Sequence, residues 1–576
     1  MKVKIARTSG FCMGVRKAVN LTLDAARDRT RPITTLGPLI HNPQVVEMLE
    51  KQGVGSSREI PDEGTVVIRS HGVAPEVKEE IREKGLDLFD ATCPRVSRVH
   101  GLASRHHARG YTVVVLGDEG HAEVDGIKGC AGGEAIIIQG SADVADLPDT
   151  DKLCLVSQTT QEREVFEETA AAVREKYRHL PEEALVIVDT ICGSTLTRHQ
   201  ELRELAKEVE AMVVVGGRSS ANTKRLAEVA EEEGVPAFLV ESEEDLDRQA
   251  LAKFSVVGLT AGASTPNWMI RRVFEELQTI EAAPGALGTL KALVMWMIMS
   301  NTYIALGAGF LTVAAARMQG FRPLAGEVAV SALFVFAIHT ITLLADARAL
   351  SLNVPARAAS FSAHRARWIG ASLLALALAF AISFGMGPRS GLALSVLGIV
   401  SFLYSLHVSG KGSSRLPFRS LIDIPAGKDL FMAGGWTALI VLLPLVHAQE
   451  RSMGPLSSFT ALITVFGLVF VRALLRDFRD LQADRLIGKE TLPLVLGVKR
   501  TRSILMGLIL LLAVANILST AMGWLPSPLG YAMLLPIAYS AACVPLFTRQ
   551  TIVQAFGAEL VIDATFIIAG LTALLA

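Results

Sequence analysis

K-V-K-I-A-R-T-S-G-F-C-M-G-V-R-K-A-V-N, residues 2–20, passes from an apolar run through a glycine turn and a cysteine into a helical pattern. The arrangement returns at L-F-D-A-T-C-P (88–94) and at L-V-I-V-D-T-I-C-G (185–193). Cys12, Cys93 and Cys192 therefore each sit where a strand should end and a helix begin. A helix N-terminus lowers a thiol's pKa and favours bound negative charge. Three thiolates presented in this way can hold a metal cluster and leave one metal position open.

Composition divides the 576-residue chain, which is too long for one ordinary domain. Up to about residue 280 it reads as a charged α/β protein. Past a linker at 281–290, residues 291–576 form a series of apolar runs, most of them long enough to cross a bilayer. Lys plus Arg number 56 against 57 Asp plus Glu, so no nucleic-acid partner is expected. The first residues read as a strand without a short apolar leader, and no secretory signal is expected. Six cysteines in a chain of this size do not make a disulfide framework. Cys130 and Cys154, near or within apolar β runs, and Cys543, in an apolar span, read as packing.

In the first half, β-rich runs alternate with helical patterns, and the loops after them fall into three sets of three. One set holds the cysteines. A second holds His71, His121 with Glu123, and Ser219, Ser220 and Asn222. The third holds His41, Thr159 with Thr160, and Ser264. Three α/β lobes with pseudo-threefold symmetry around a central pocket fit this order. Three thiolates suit iron–sulfur or zinc. Structural zinc prefers four ligands in short paired spacings, and no C-x-x-C occurs. A cluster with one non-cysteine position is the better reading. Imidazoles, small hydroxyls and an amide at helix N-termini suit a diphosphate. Glu123, with Thr159 and Thr160, reads as general-acid equipment beside a redox centre.

These motifs resemble the 4-hydroxy-3-methylbut-2-enyl diphosphate reductase family, which closes the methylerythritol phosphate route to isoprenoids. S-G-F-C12-M-G-V, L-I-H41-N-P, S-H71-G-V, D-A-T-C93-P, G-H121-A-E123-V, S-Q-T159-T160, T-I-C192, S219-S220-A-N222-T and T-A-G-A-S264-T-P follow the family's order. The resemblance implies a 4Fe–4S cluster on Cys12, Cys93 and Cys192. It implies diphosphate binding by His41, His71, His121, Ser219, Ser220, Asn222 and Ser264. It further implies proton delivery by Glu123, with Thr159 orienting the substrate hydroxyl, and a one-electron donor such as ferredoxin or flavodoxin. Ala122 stands where the family's proline is expected, and Ala221 follows the serine pair; neither removes a functional group.

The second half holds nine expected spans, near 291–316, 327–345, 368–387, 390–406, 429–447, 455–475, 503–523, 530–547 and 553–575. Loops after the even-numbered spans are several-fold richer in Lys and Arg than the opposite loops, which carry Arg317, Arg322, Arg389 and Arg451. The positive-inside rule then places the first half in the cytoplasm and the chain in the cytoplasmic membrane. In R-D-F-R-D-L-Q-A-D-R-L-I-G-K-E-T-L-P (476–493), helical spacing sets Asp477, Asp480 and Asp484 on one face, where carboxylates can hold Mg²⁺ and a diphosphate. This half resembles the UbiA superfamily of intramembrane prenyltransferases. Where that superfamily has N-D-x-x-D-x-x-x-D, this chain has Thr342, Leu343, Asp346 and Leu350, keeping one aspartate of three. The resemblance implies Mg²⁺–prenyl diphosphate binding at Asp346, Asp477, Asp480 and Asp484, with Arg357, Lys428 and Asp429 as further contacts. Two outcomes stand open: a prenyl-transferring domain, or a non-catalytic anchor or prenyl-lipid scaffold.

Overall fold

The computed structural model describes residues 1–26, 32–280, 286–405, 427–447, 454–487, 491–548 and 555–576. The chain divides into two compact units, Met1–Ala282 and Ala283–Ala576.

The first unit contains three parallel four-stranded sheets. The first joins β1 (Lys2–Ile5) to late strands β10 (Ala211–Val215), β11 (Ala237–Val240) and β12 (Val256–Ala261), in the order β1-β12-β10-β11. The second is β3-β2-β4-β5, from β2 (Ile33–Leu36), β3 (Val54–Ser57), β4 (Thr65–Ile68) and β5 (Asp87–Asp90). The third is β7-β6-β8-β9, from β6 (Thr112–Leu116), β7 (Ile136–Ile138), β8 (Leu153–Ser157) and β9 (Leu185–Ile187). Inner strands T-V-V-I, L-C-L-V-S and A-M-V-V-V are buried along their length. Continuous apolar runs of this kind suit parallel strands with both faces covered.

In a parallel sheet the C-terminal strand ends share one edge, and the loops that follow them gather there. Each sheet contributes one cysteine, always after an edge strand: Cys12 after β1, Cys93 after β5 and Cys192 after β9. Its two inner strands lead to the other polar loops: His41 and His71, His121 and Thr159, Ser220 and Ser264. The opposite edge strands, β3, β7 and β11, lead to none of these residues. Cys154 is wholly buried in β8, and Cys130 ends the helix Ala122–Cys130 rather than a β run.

The second unit is helical. Among the described residues, seven helices are long and apolar enough to cross a membrane, or eight if one bent pair counts as a span. That falls short of the nine expected. The run expected at 291–316 bends by 81° between Ala292–Met299 and Thr302–Met318. Asn301 at the break adopts a left-handed backbone (φ 63°), which asparagine tolerates better than most residues. The run expected at 390–406 forms the helix Pro388–Ser405, of which Pro388–Ser401 counts among the shorter apolar helices. The helix Pro455–Ile487 runs through the core with Val465, Leu468, Val469 and Leu474 buried, and its last turns carry the three expected aspartates. Gly488, Lys489 and Glu490 of the G-K-E-T-L-P stretch lie outside the described residues.

Candidate active site

The three cysteines are the N-caps of the helices Met13–Ala25, Pro94–His107 and Gly193–Ala206. Cys12 Sγ accepts from the Val15 amide at 3.4 Å, and Cys192 Sγ lies 3.2 Å from the Ser194 hydroxyl. All three line one cavity of about 770 Å³, counted with its open mouth. Gly14 makes this arrangement fit. A Cβ there would stand 2.5 Å from Cys93 Sγ, against an ordinary contact of 3.9 Å to Cys12 Sγ, so the missing side chain leaves room for the Cys93 sulfur. Burial pushes the Cys93 thiol's pKa up; the amides of Arg95 and Val96 draw it down, and Cys12 and Cys192 raise it again. Among the described residues no three His, Cys, Asp or Glu side chains converge on a single metal ion.

His41, His71 and His121 occupy the same cavity wall, with ring centroids 4.7, 5.8 and 5.6 Å apart. Burial lowers the pKa of each ring, and that of His71 falls well below the usual value. For His41 and His71, neighbouring imidazoles and Arg69 lower it further. His41 Nε2, His71 Nδ1 and both amide atoms of Asn222 are buried without hydrogen-bond partners. Buried polar atoms normally find partners, so this wall suits a strongly hydrogen-bonding ligand. Ser220 occupies the N-cap position of the helix Ala221–Glu232 without a side-chain capping bond and, with Asn222 and Ser264, completes the wall. Ser264 also donates to the His41 carbonyl at 3.1 Å. Ser219, expected beside Ser220, is exposed and does not line the cavity.

Glu123 enters the cavity from the first turn of Ala122–Cys130 and is 2% exposed. The Thr159 amide donates to its Oε1 at 2.7 Å, and the Thr159 hydroxyl to its Oε2 at 2.9 Å. Burial raises the carboxyl's pKa to about 7 against the downward pull of these bonds. Ser194 and Arg95 also line the cavity and were not singled out from sequence. The signal for Ser194 was a hydroxyl in the first turn after a ligand-type cysteine.

A second cavity, about 760 Å³ with its mouth, lies in the second unit. It brings together Asp346, Asp477, Asp480 and Asp484, with Asp429, Lys428, Asn353 and His339. Asn353 donates to Asp484 at 3.3 Å, and Asp429 lies within hydrogen-bond reach of Asp477. Arg479 grips Asp480 with Nε on Oδ1 and Nη2 on Oδ2, both at 2.7 Å. Arg357 is placed elsewhere: it is buried against Glu559 and the Ile298 carbonyl and does not line this cavity. Glu559 and Asp563, the acidic partners of Arg357, Arg479 and Arg472, escaped the sequence reading because they lie inside an apolar run.

An α/β unit that gathers three cysteines, three imidazoles and a buried carboxyl around one cavity is followed in this chain by a unit of membrane-length apolar helices. Residues 3–278 match the LytB protein family, and residues 360–558 match the UbiA prenyltransferase family. A 4-hydroxy-3-methylbut-2-enyl diphosphate reductase of Clostridioides difficile is 39% identical over 285 residues, covering 49% of this chain and all of the relative. That of Aquifex aeolicus is 37% identical over 281 residues, covering 48% of this chain and 96% of the relative. The chain belongs to the LytB family of 4-hydroxy-3-methylbut-2-enyl diphosphate reductases and carries a UbiA-family domain after it. Among solved structures, the Plasmodium falciparum reductase aligns with TM-score 0.45 at 28% identity, covering 48% of this chain and 87% of its own. A UbiA homolog from Archaeoglobus fulgidus bound to GPP and Mg²⁺ aligns with TM-score 0.37 at 14% identity, covering 49% and 97%.

Proposed function

We propose that the first unit reductively dehydroxylates 4-hydroxy-3-methylbut-2-enyl diphosphate to isopentenyl and dimethylallyl diphosphate. The observation that carries this reading is the joint opening of three cysteine thiols and the Glu123–Thr159 pair onto one cavity walled by imidazoles. The three sheets act as related lobes, each presenting one thiol and two polar loops. Cys12, Cys93 and Cys192 would hold a 4Fe–4S cluster, as three thiols lining one cavity allow. When bound, such a cluster supplies electrons one at a time.

This chain's own residues bind, orient and protonate. His41, His71, His121, Ser220, Asn222 and Ser264 take the diphosphate, whose charge favours donation from the imidazoles. The Thr159 hydroxyl, fixed on Glu123 Oε2, orients the substrate hydroxyl. A carboxyl titrating near 7 holds a proton at working pH and can release it as the C–O bond breaks. Two electrons from a one-electron donor, such as ferredoxin or flavodoxin, and two protons give one C–H bond and one water. The test is turnover of the diphosphate by the anaerobically purified full chain with reduced viologen. Both five-carbon products are expected; iron-loaded protein that binds substrate without forming either would reject the reading.

For the second unit we infer binding of a prenyl diphosphate with Mg²⁺ in the cavity that collects Asp346, Asp477 and Asp484. The first unit lies in the cytoplasm on this reading, as the Lys and Arg distribution favours. Prenyl transfer would follow from the UbiA membership. Two observations favour the scaffold alternative: Asp480 has both oxygens held by Arg479, and Asp346 alone remains of the earlier acidic motif. Labelled prenyl diphosphates fed to membranes, with analysis of the lipids formed, separate transfer from mere retention.

A further inference from the structure

The helix that begins at Cys192 also grips the loop that carries Cys12. Arg198, on its inner face, is 4% exposed. Its Nη1 donates to the Ala261 carbonyl at the end of β12 at 2.8 Å, and its Nη2 donates to the Gly10 carbonyl. Gly10 forms the left-handed turn (φ 105°) two residues before Cys12. The Cys12 amide in turn donates to the Ala263 carbonyl at 3.1 Å, just beyond β12. One helical turn after Arg198, Glu201 accepts the Arg7 amide, the Thr8 amide and the Thr8 hydroxyl.

These bonds tie the Cys12 turn, the end of β12 and the Cys192 helix to one guanidinium. Among the described residues Arg198 has no salt-bridge partner, and its Nε is buried without a hydrogen bond. An unpaired buried cation is costly unless negative charge stands near it. Burial lowers its pKa, and Cys12, Glu201 and Cys192, in that order, raise it again. Geometry sets the cation near two of the three cysteines: it bonds the carbonyl two residues before Cys12 and stands on the helix that starts at Cys192. A fixed positive charge beside thiolates favours the more reduced, more negative state of any centre they hold.

We propose that Arg198 is a positioning residue that locks the Cys12 turn to the Cys192 helix and raises the reduction potential of the centre bound there. The proposal rests on the reading of the cysteines as cluster ligands. The full chain, its Arg198→Met variant and its Arg198→Lys variant would be purified anaerobically. Iron and sulfide per chain, iron release to a chelator and the midpoint potential would be measured on each. The Met variant should titrate at more negative potential, by at least a tenfold change in the reduced-to-oxidised ratio, about 59 mV for one electron. The Lys variant keeps the charge but not the two-pronged grip. It should stay near the wild-type potential and release iron several-fold faster. A wild-type potential in the loaded Met variant overturns the proposal. If the Met variant holds no iron, the Lys variant decides, and wild-type iron release from it overturns the proposal. Wild-type protein without a cluster would instead reject the cysteine assignment on which this rests.

Discussion

On the proposed mechanism Glu123 serves as an acid because of where it is buried, and the carboxyl's two oxygens are both held by Thr159. Glu123→Gln keeps the shape and removes the proton. It should retain cluster and substrate binding but lose turnover by about a hundredfold or more, as for other general acids. The pH dependence follows from the same burial. A group that donates its proton works below its pKa, so turnover should fall as pH rises through about 7. Steady-state rates across that range test this, and the Gln variant should lack the limb. Near-normal turnover in that variant would remove Glu123 from the mechanism. The cysteines offer a parallel contrast. Cys12→Ser, Cys93→Ser and Cys192→Ser should each lose bound iron, whereas Cys154→Ser should keep it, because Cys154 is wholly buried in β8. Residue types and their order made most of this wall legible in the sequence. Which of two adjacent serines faces inward was not legible: Ser220 is buried at the N-cap position and Ser219 is exposed, a matter of turn geometry that composition does not record.

At the level of elements, the recurring unit is a strand, a polar turn and a helix, read three times with cysteine at the turn. That period was visible because strand and helix patterns differ in repeat and the turn residues are distinctive. What holds one turn against another was not visible. Arg198 and Glu201 look like ordinary helix-surface charges until the fold brings residues 7–10 beside them. Gly14 is similar: in sequence it is a glycine near a helix start, and in the fold it is the gap facing Cys93. Gly14→Ala should therefore act on the cluster rather than on the helix, which alanine would favour by about 1 kcal/mol. The expected outcome is unchanged helix content by circular dichroism with a clear loss of bound iron, since overpacking at such a site costs about 1–3 kcal/mol. Full iron content in that variant would show that the Cys93 sulfur can move aside. The membrane elements were less legible. Apolar length marks a span but not a break, and Asn301 interrupts a run whose hydropathy stays high on both sides.

In the molecule as a whole, two units that handle isoprenoid diphosphates on the proposed reading occupy one chain, and the second is where sequence and geometry pull apart. Carboxylates gathered at a membrane boundary repel one another unless a cation or a basic group compensates them. Here compensation is divided. Arg479 takes both oxygens of Asp480, and Lys428 stands among Asp477, Asp484 and Asp429. Asp477 keeps one buried oxygen without a hydrogen-bond partner. A divalent cation should therefore depend on Asp477 and Asp484 and little on Asp480. The full chain in lipid nanodiscs should bind a non-hydrolysable prenyl diphosphate analogue in the presence of Mg²⁺ and release it on chelation. Asp477→Asn plus Asp484→Asn should weaken binding about tenfold or more, the loss expected when charged contacts disappear. Asp480→Asn should change it by less than about threefold, because its carboxylate already has a partner. Equal losses in the two variants would mean that Arg479 lets go of Asp480 when ligand arrives. Binding that ignores Mg²⁺, or survives the double substitution, would reject the cation site and leave the membrane unit as an anchor or lipid scaffold for the reductase.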